Sequence, residues 1–102
     1  MNAEFVCHAY AKLVANVFTP QVQVFCQITS PAPGQYRITR TNDNIASGDL
    51  KVTISALKAG ASLNKNLAPF SDAITDVVIT DDAGVAAVAD EIWVTIERVP
   101  RV

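Results

Sequence analysis

The sequence predicts a mainly antiparallel β-sandwich, immunoglobulin-like or jelly-roll-like in class, formed by a single β domain over residues 1–102. Val, Ile and Thr supply 13, 8 and 8 of the 102 residues against only five Leu, and such β-branched side chains favour strands. Several segments alternate apolar and polar residues with a period of two. The 4 Gly and 5 Pro fall between those segments, where turns are expected. A compact barrel is the alternative architecture.

The N-terminal segment, residues 4–18, fits two periodicities and is predicted to be either a strand or a helix. As a strand, it has an apolar residue at every odd position: Phe5, Cys7, Ala9, Ala11, Leu13, Ala15 and Val17. As a helix, it has one polar stripe with a spacing of four: Glu4, His8, Lys12 and Asn16. Fourteen extended residues would span about 46 Å, so a strand here has to bend, split or reach a neighbouring molecule.

Residues 21–41 are predicted to form a β-hairpin. The first strand, residues 21–29, alternates with a period of two apart from Phe25, and four of its residues are predicted to face inward: Val22, Val24, Cys26 and Ile28. A Pro- and Gly-containing turn over residues 30–34 leads into the second strand, residues 35–41. The predicted register pairs Thr29 with Gln35, Cys26 with Ile38, and Gln27 with Arg37.

The remainder of the chain continues the strand pattern. Further strands are predicted at residues 50–57, 74–80, 85–89 and 91–99. Residues 42–49 are rich in turn formers and are predicted to be a loop. In the long connection 58–72, Ser62 is expected to cap one helical turn that brings Leu63 and Leu67 together.

The sequence offers little catalytic or metal-binding chemistry. His8 is the one histidine, no serine lies in a nucleophile elbow, and no Gly-rich phosphate loop is present. Zinc needs three or four ligands, and the Asp81-Asp82 turn lacks the spacing of a calcium loop. Cys26 and His8 could in principle pair as nucleophile and base, but sites of that kind are typical of larger chains with a cleft between subdomains. We therefore predict a protein that is not an enzyme, with no catalytic, cofactor-binding or metal-binding residues and no cofactor.

The two cysteines and the overall charge indicate the compartment and exclude classes of partner. Cys7 and Cys26 lie in apolar surroundings and are expected to be buried thiols, with a disulfide between them left open. A net charge of -2 provides no basic surface for nucleic acid. No apolar run is long enough for a membrane span, and the first residues lack the charge and apolar pattern expected of a signal peptide. We expect a protein made in the cytoplasm, with neither nucleic acid nor a membrane as its partner.

Two aromatic residues break the alternation and are the first candidates for an interface. Phe25 and Trp93 occupy strand positions where the pattern predicts solvent-facing polar groups. Contact with another molecule and cover by residues 58–72 or by the N-terminal segment of the same chain are the two alternatives. Three apolar residues of the long connection are further candidates: Leu63, Leu67 and Phe70. Two more, Arg37 and Arg40, belong to residues 37–65, where basic side chains outnumber acidic ones and which we call the basic centre. The basic centre could attract the acidic stretch between residues 72 and 97 of a second copy.

These features predict a structural or assembly protein. The chain is expected to self-associate as a homo-oligomer or to dock on a larger protein assembly, for example as a virion-associated capsid decoration or tail component. The alternative is a β module that binds a small ligand or a carbohydrate. In that alternative, Trp93, Tyr36 or Phe25 would form the stacking platform.

Overall fold

The two inner faces of the protein bury an almost entirely aliphatic core between two antiparallel sheets. The computed structural model describes residues 4–41, 50–67 and 74–99. Each sheet has four strands, with the order β2-β1-β8-β5 in sheet A and β3-β4-β7-β6 in sheet B. The prediction of an antiparallel β-sandwich is confirmed.

The described connections between consecutive strands are short, apart from the longer segment 81–90 between β7 and β8. Their bounds are β1 Glu4–Val14, β2 Val17–Val24, β3 Cys26–Ala32, β4 Gln35–Arg40, β5 Leu50–Leu57, β6 Asn64–Leu67, β7 Ile74–Thr80 and β8 Glu91–Arg98. The first and last strands are neighbours in the middle of sheet A. No helix that could cross a membrane occurs in the described ranges.

The N-terminal segment is a strand, and it splits in two. A tight turn at Ala15 and Asn16 separates β1 from β2, and Val14 pairs directly with Val17. The φ angles of the two turn residues are 51° and 63°. Positive φ at both positions is the type I′ geometry that matches the twist of a two-residue hairpin. The split resolves the excessive length that one continuous strand would have had.

The prediction of one strand over residues 21–29 is wrong, because the chain changes sheets at Phe25. Val24 ends β2 in sheet A and Cys26 begins β3 in sheet B. Phe25 between them has a φ of 58°, a left-handed conformation that interrupts the pleat. Val22 and Val24 consequently lie on the exposed face of sheet A, whereas Cys26 and Ile28 are buried as predicted.

The predicted hairpin register is also wrong, by two residues. Cys26 lies opposite Arg40, and Thr29 lies opposite Arg37. The strand continues through Ala32 after an irregularity between Thr29 and Ala32, so the turn is shorter than the sequence suggested. A shift of two residues preserves the face of every side chain, which is why the predicted inward positions remain inward.

Two further segments differ from the prediction. Ser62 caps no helical turn, because Asn64–Leu67 is a strand on the edge of sheet B. Residues 85–89 form no strand; the chain folds back over the end of β7, and the Ala87 N–H donates to the Ile79 carbonyl at 3.0 Å. The strands predicted at 50–57 and 74–80 are confirmed. The predicted loop 42–49 lies outside the described residues.

The core comes from both sheets and from the crossing after β7. Its buried apolar residues are Val6, Cys7, Ala9, Ala11, Cys26, Ile28, Tyr36, Ile38, Val77, Ile79, Ala87, Ala89, Ile92, Val94 and Ile96. The inner residues of edge strand β5 are only half-buried. The core therefore concentrates under the central strands and thins towards the β5 edge.

Candidate functional site

The outer faces of the two sheets have different chemistry. Sheet B presents a polar surface, on which Arg37 Nε and Nη2 donate to the Asp76 carboxylate at 2.8 and 3.2 Å. Gln27, Gln35 and Thr39 are exposed on this surface beside the ion pair. Such a face is well suited to contact with water.

Sheet A carries most of the exposed large apolar side chains, and we call its outer surface the apolar face. Ten large apolar side chains are exposed within the described ranges. Seven of them lie on the outer side of sheet A or at its corner: Phe5, Val14, Val17, Val22, Val24, Phe25 and Leu57. A concentration of exposed apolar side chains on one sheet marks interaction sites more often than isolated apolar residues do.

An aromatic pair occupies the centre of the apolar face. Tyr10 on β1 is the cross-strand partner of Trp93 on β8, and their rings stack with centroids 5.0 Å apart and an interplanar angle of 15°. The outward position predicted for Trp93 is confirmed, since both neighbours, Ile92 and Val94, are buried. Stacked aromatic pairs form rigid contact surfaces that lose little conformational entropy on binding.

Polar groups hold this aromatic pair in place. The Tyr10 hydroxyl donates to Glu91 Oε1 at 2.8 Å. This hydrogen bond raises the pKa of Tyr10, because ionisation would remove the shared proton and face a carboxylate. In the next cross-strand row, His8 Nδ1 and Thr95 Oγ1 are 2.9 Å apart. The centre of the apolar face is therefore fixed by side-chain hydrogen bonds between β1 and β8.

Phe25 projects from the corner where the chain leaves sheet A. Its side chain is 62% exposed, and its ring centroid is 6.4 Å from that of Phe5. The Phe25 carbonyl accepts two hydrogen bonds from Thr41, at 3.0 Å from the N–H and 2.9 Å from Oγ1. A bulky residue in left-handed conformation costs about 1–3 kcal/mol and persists only where its surroundings enforce it. The fold thus enforces a conformation that leaves this ring exposed.

The two predicted arginine candidates have separate environments. Arg37 forms the ion pair on the polar face of sheet B. Arg40 is only 3% exposed and lies on the inner side of the same strand. Neither side chain lies on the apolar face, and the interior position of Arg40 removes it from the accessible surface.

The predicted apolar candidates are also dispersed. Leu63 packs against the core, whereas Leu67 is exposed on edge strand β6. Phe70 lies outside the described residues. Tyr36 is 2% exposed and its hydroxyl accepts the Ala89 N–H at 3.0 Å. The expectation that Tyr36 could serve as a stacking platform is therefore wrong, because its ring belongs to the core.

Strand pairing brings together the basic and acidic segments that are separate in the sequence. Arg37 pairs with Asp76 across β4 and β7. On sheet A, Lys51 lies opposite Glu97, and Lys12 lies opposite Glu91. Much of the charge contrast between the two segments is thus compensated within one molecule, which leaves less of it to attract a second copy.

The structure separates the groups that could have performed catalysis or bound a cation. Cys26 Sγ donates to the His8 carbonyl at 3.4 Å, whereas the His8 ring lies on the opposite side of sheet A beside Thr95. Asp81 Oδ1 accepts the N–H groups of Ala83 and Val85 within its own turn. Within the described ranges, no three His, Cys, Asp or Glu side chains are grouped as a metal site requires.

A small cavity lies on sheet B beside the Arg37–Asp76 ion pair. Its volume is about 210 Å³, and Pro31, Gln35 and Val78 are among the residues that line it. Sites for small organic ligands commonly have volumes of roughly 300–1,000 Å³ and mainly apolar walls. The apolar face is consequently the stronger candidate site.

Sequence analysis missed most of the apolar face. Tyr10 was not identified, because residues 4–18 fitted both a strand and a helix. Val22 and Val24 were predicted to face inward, because one continuous alternation was predicted through Phe25. A usable signal for Tyr10 was present, since the strand alternative for residues 4–18 puts every even residue on the outer side. The exposure of Val22 and Val24 had no such signal, because it depends on the change of sheet.

No protein-family model matches the sequence. Searches of curated proteins and of solved structures likewise give no match.

Proposed function

We propose that this protein is a non-enzymatic assembly subunit that self-associates through the apolar face. The observation that carries the proposal is the concentration of exposed apolar side chains on one sheet, around the Tyr10–Trp93 stack. Large aromatic side chains surrounded by smaller contacts supply most of the binding energy in known interfaces. Phe25 and Trp93, predicted as anchors from sequence, lie at the corner and the centre of this face.

A second copy of the chain is the occupant that fits this surface. The four strands, about 4.8 Å apart and about eight residues long, give the face a projected area of about 500 Å². Two such faces together bury about 1,000 Å², the size at which specific interfaces begin. Twisted antiparallel sheets pack face to face about 10 Å apart, so two apolar faces can stack about a two-fold axis.

The charges on the apolar face are compatible with such stacking. Glu91 and Glu97 on β8 lie opposite Lys12 on β1 and Lys51 on β5. Each row with an acidic residue therefore also contains a lysine, and the face has no large excess of one sign. Two copies of a balanced surface do not repel each other strongly, whereas two acidic surfaces would.

The same surface supports the finer proposal that the assembly is a larger particle. In that case the chain would be an accessory subunit, such as a capsid decoration or tail component of a virion. Small size, low charge and an exposed apolar sheet support this extension. Size-exclusion chromatography of the protein mixed with purified particles would test it, because a docked subunit elutes with the particle.

Light scattering coupled to size-exclusion chromatography tests the self-association proposal. We expect the wild-type chain to dimerise and the double variant Phe25→Asn/Trp93→Thr to weaken dimerisation at least about tenfold. Asn tolerates positive φ and Thr suits a strand surface, so the fold should persist. Val85→Asn is the matched control, because Val85 is 61% exposed but lies outside the apolar face.

The result that rejects self-association is equally clear. A wild-type chain that stays monomeric at high concentration excludes the apolar face as a homodimer interface. Dimers that weaken equally in the double variant and in Val85→Asn would place the interface elsewhere. Circular dichroism of each variant establishes that the fold is retained.

A second candidate function uses the same aromatic pair. The Tyr10–Trp93 stack is flanked by hydrogen-bonding groups at Glu91, His8 and Thr95, a combination that also suits the apolar face and hydroxyl groups of a sugar ring. Saccharide binding would change the fluorescence of the single tryptophan without changing the molecular mass. The two functions are thus distinguished by one titration followed by light scattering.

A further inference from the structure

The two cysteines of the chain meet across the interior. Cys7 lies on β1 of sheet A and Cys26 begins β3 of sheet B. Their side chains are 1% and 4% exposed, and Cys26 Sγ lies 3.4 Å from the carbonyl oxygen of His8, the residue that follows Cys7. Two buried cysteines that face each other from opposing sheets can form a disulfide with little movement of the backbone when their Cα atoms lie within about 7 Å.

The surroundings of the pair make the two sulfur atoms chemically different. The neighbouring Cys7 side chain lowers the pKa of Cys26. The neighbouring Cys26 side chain and burial raise the pKa of Cys7, a rise that the nearby charge of Arg40 opposes. Arg40 is the cross-strand partner of Cys26 and is itself buried.

The position of Cys26 in the fold also makes it the more accessible sulfur atom. It is the first residue of β3, an edge strand of sheet B, and it directly follows the left-handed Phe25. The end of an edge strand, next to a point where the chain changes sheets, opens locally at lower free energy than a central strand. Cys7 lies deeper, on the second strand of sheet A between β2 and β8.

We propose that Cys7 and Cys26 are an oxidative modification site, at which a peroxide converts the thiol pair into a disulfide that joins the two sheets. The Cys26 thiolate attacks one peroxide oxygen, the O–O bond breaks, and Cys26 becomes a sulfenic acid while the released alkoxide or hydroxide takes a proton. Cys7 then attacks the Cys26 sulfur, the S–O bond breaks, and water leaves with the Cys7 proton. Two thiols lose two electrons in total, and the peroxide gains them.

The disulfide would have a defined structural effect. It would close a loop containing the β1–β2 hairpin and would fix the edge of sheet B to sheet A. Closing a loop of about 20 residues restricts the unfolded chain, which corresponds to a Tm increase on the order of 10 °C for a domain of this size. This inference is independent of the proposed self-association.

Mild treatment of the intact, reduced protein with hydrogen peroxide tests the proposal. We expect a mass loss of about 2 Da, a peptide that links Cys7 to Cys26, and a higher Tm that dithiothreitol reverses. Cys7→Ala and Cys26→Ala are the matched variants, because a small apolar residue can replace a buried thiol. The Cys7→Ala variant should stop at the sulfenic acid of Cys26.

Three results would overturn the proposal, and each is read from the wild-type chain. They are cysteines that remain unoxidised, oxidation to sulfinic acid with no linked peptide, and disulfides that form only between molecules. None depends on the folding of a variant. Self-association could fail while the disulfide forms, so the two proposals can be judged separately.

Discussion

Gly34 lies where the turn between β3 and β4 packs closely against the backbone of β7 and of the segment that follows it. It has a φ of 76°, and a Cβ built there would lie 2.9 Å from the Ile79 carbonyl oxygen and 3.0 Å from the Ala87 nitrogen. The Ile79 N–H also donates to the Gly34 carbonyl at 2.8 Å. The turn between β3 and β4 is thus fitted against β7 and the segment that leaves it, with no space for a side chain.

We predict that Gly34→Ala lowers the free energy of unfolding by about 2–4 kcal/mol. About 1–2 kcal/mol comes from the left-handed conformation, and the remainder comes from the clash with backbone atoms that cannot move independently. Gly84→Ala is the matched control, since Gly84 has a φ of 80° but nothing within 4 Å of its Cβ position. Equal losses in urea unfolding of the two variants would contradict a steric role for Gly34.

At the scale of secondary-structure elements, the β1–β2 hairpin contains a turn with an unusual residue. Type I′ turns favour Asn and Gly because both central residues have positive φ. Asn16 satisfies this preference, but Ala15 has a φ of 51°. Asn and Gly reach this region readily, whereas alanine is strained in it. The hairpin therefore forms in spite of its first turn residue, because pairing of β1 with both neighbours stabilises it.

We predict that Ala15→Gly stabilises the protein by about 0.5–1 kcal/mol. The substitution removes the left-handed strain of about 1–2 kcal/mol, and the greater freedom of glycine in the unfolded chain offsets part of that gain. Ala61→Gly is the control, because Ala61 is also exposed but has no positive φ. It should lose about 0.5–1 kcal/mol. Urea unfolding curves that shift in the same direction for both variants would refute the prediction.

Across the whole molecule, the two tyrosines report on both sheets. Tyr10 lies on sheet A, and its hydrogen bond to Glu91 raises its pKa. Tyr36 lies in sheet B, and burial raises its pKa in spite of the opposing Ala89 hydrogen bond. They are the only tyrosines in the chain. Tyrosinate absorbance therefore measures the integrity of the entire sandwich at alkaline pH.

We predict that both tyrosines ionise above the ordinary pKa of 10.0 in the folded protein. The folded state then retains protons that the unfolded state releases, so stability falls as the pH rises above about 10. Spectrophotometric titration in buffer and in concentrated urea checks this difference. Glu91→Gln should lower the pKa of Tyr10 alone, and coincident titration curves for folded and unfolded protein would show that neither group is shifted.

Most of the strand positions could be predicted from the sequence, because side-chain alternation is a local property. Leu50–Leu57 and Ile74–Thr80 match their predicted bounds, and the inward positions of Ile92, Val94 and Ile96 are confirmed. The predictions for residues 62–67 and 85–89 were wrong, because backbone hydrogen bonds to β7 determine the conformation of both segments. The apolar pattern of each segment does not indicate those hydrogen bonds. Of the two aromatic residues at the centre of the candidate site, Trp93 was predicted from the sequence and Tyr10 was not.

The sequence by itself determined that this chain forms antiparallel strands and which side of most strands is apolar, since both follow from residue type and a period of two. Only the tertiary structure decided that the chain changes sheets at Phe25. No local signal predicts a bulky residue with positive φ, because that conformation is unfavourable until distant groups such as Thr41 bind its carbonyl. That single change of sheet exposes Val22 and Val24 and thereby creates much of the apolar face.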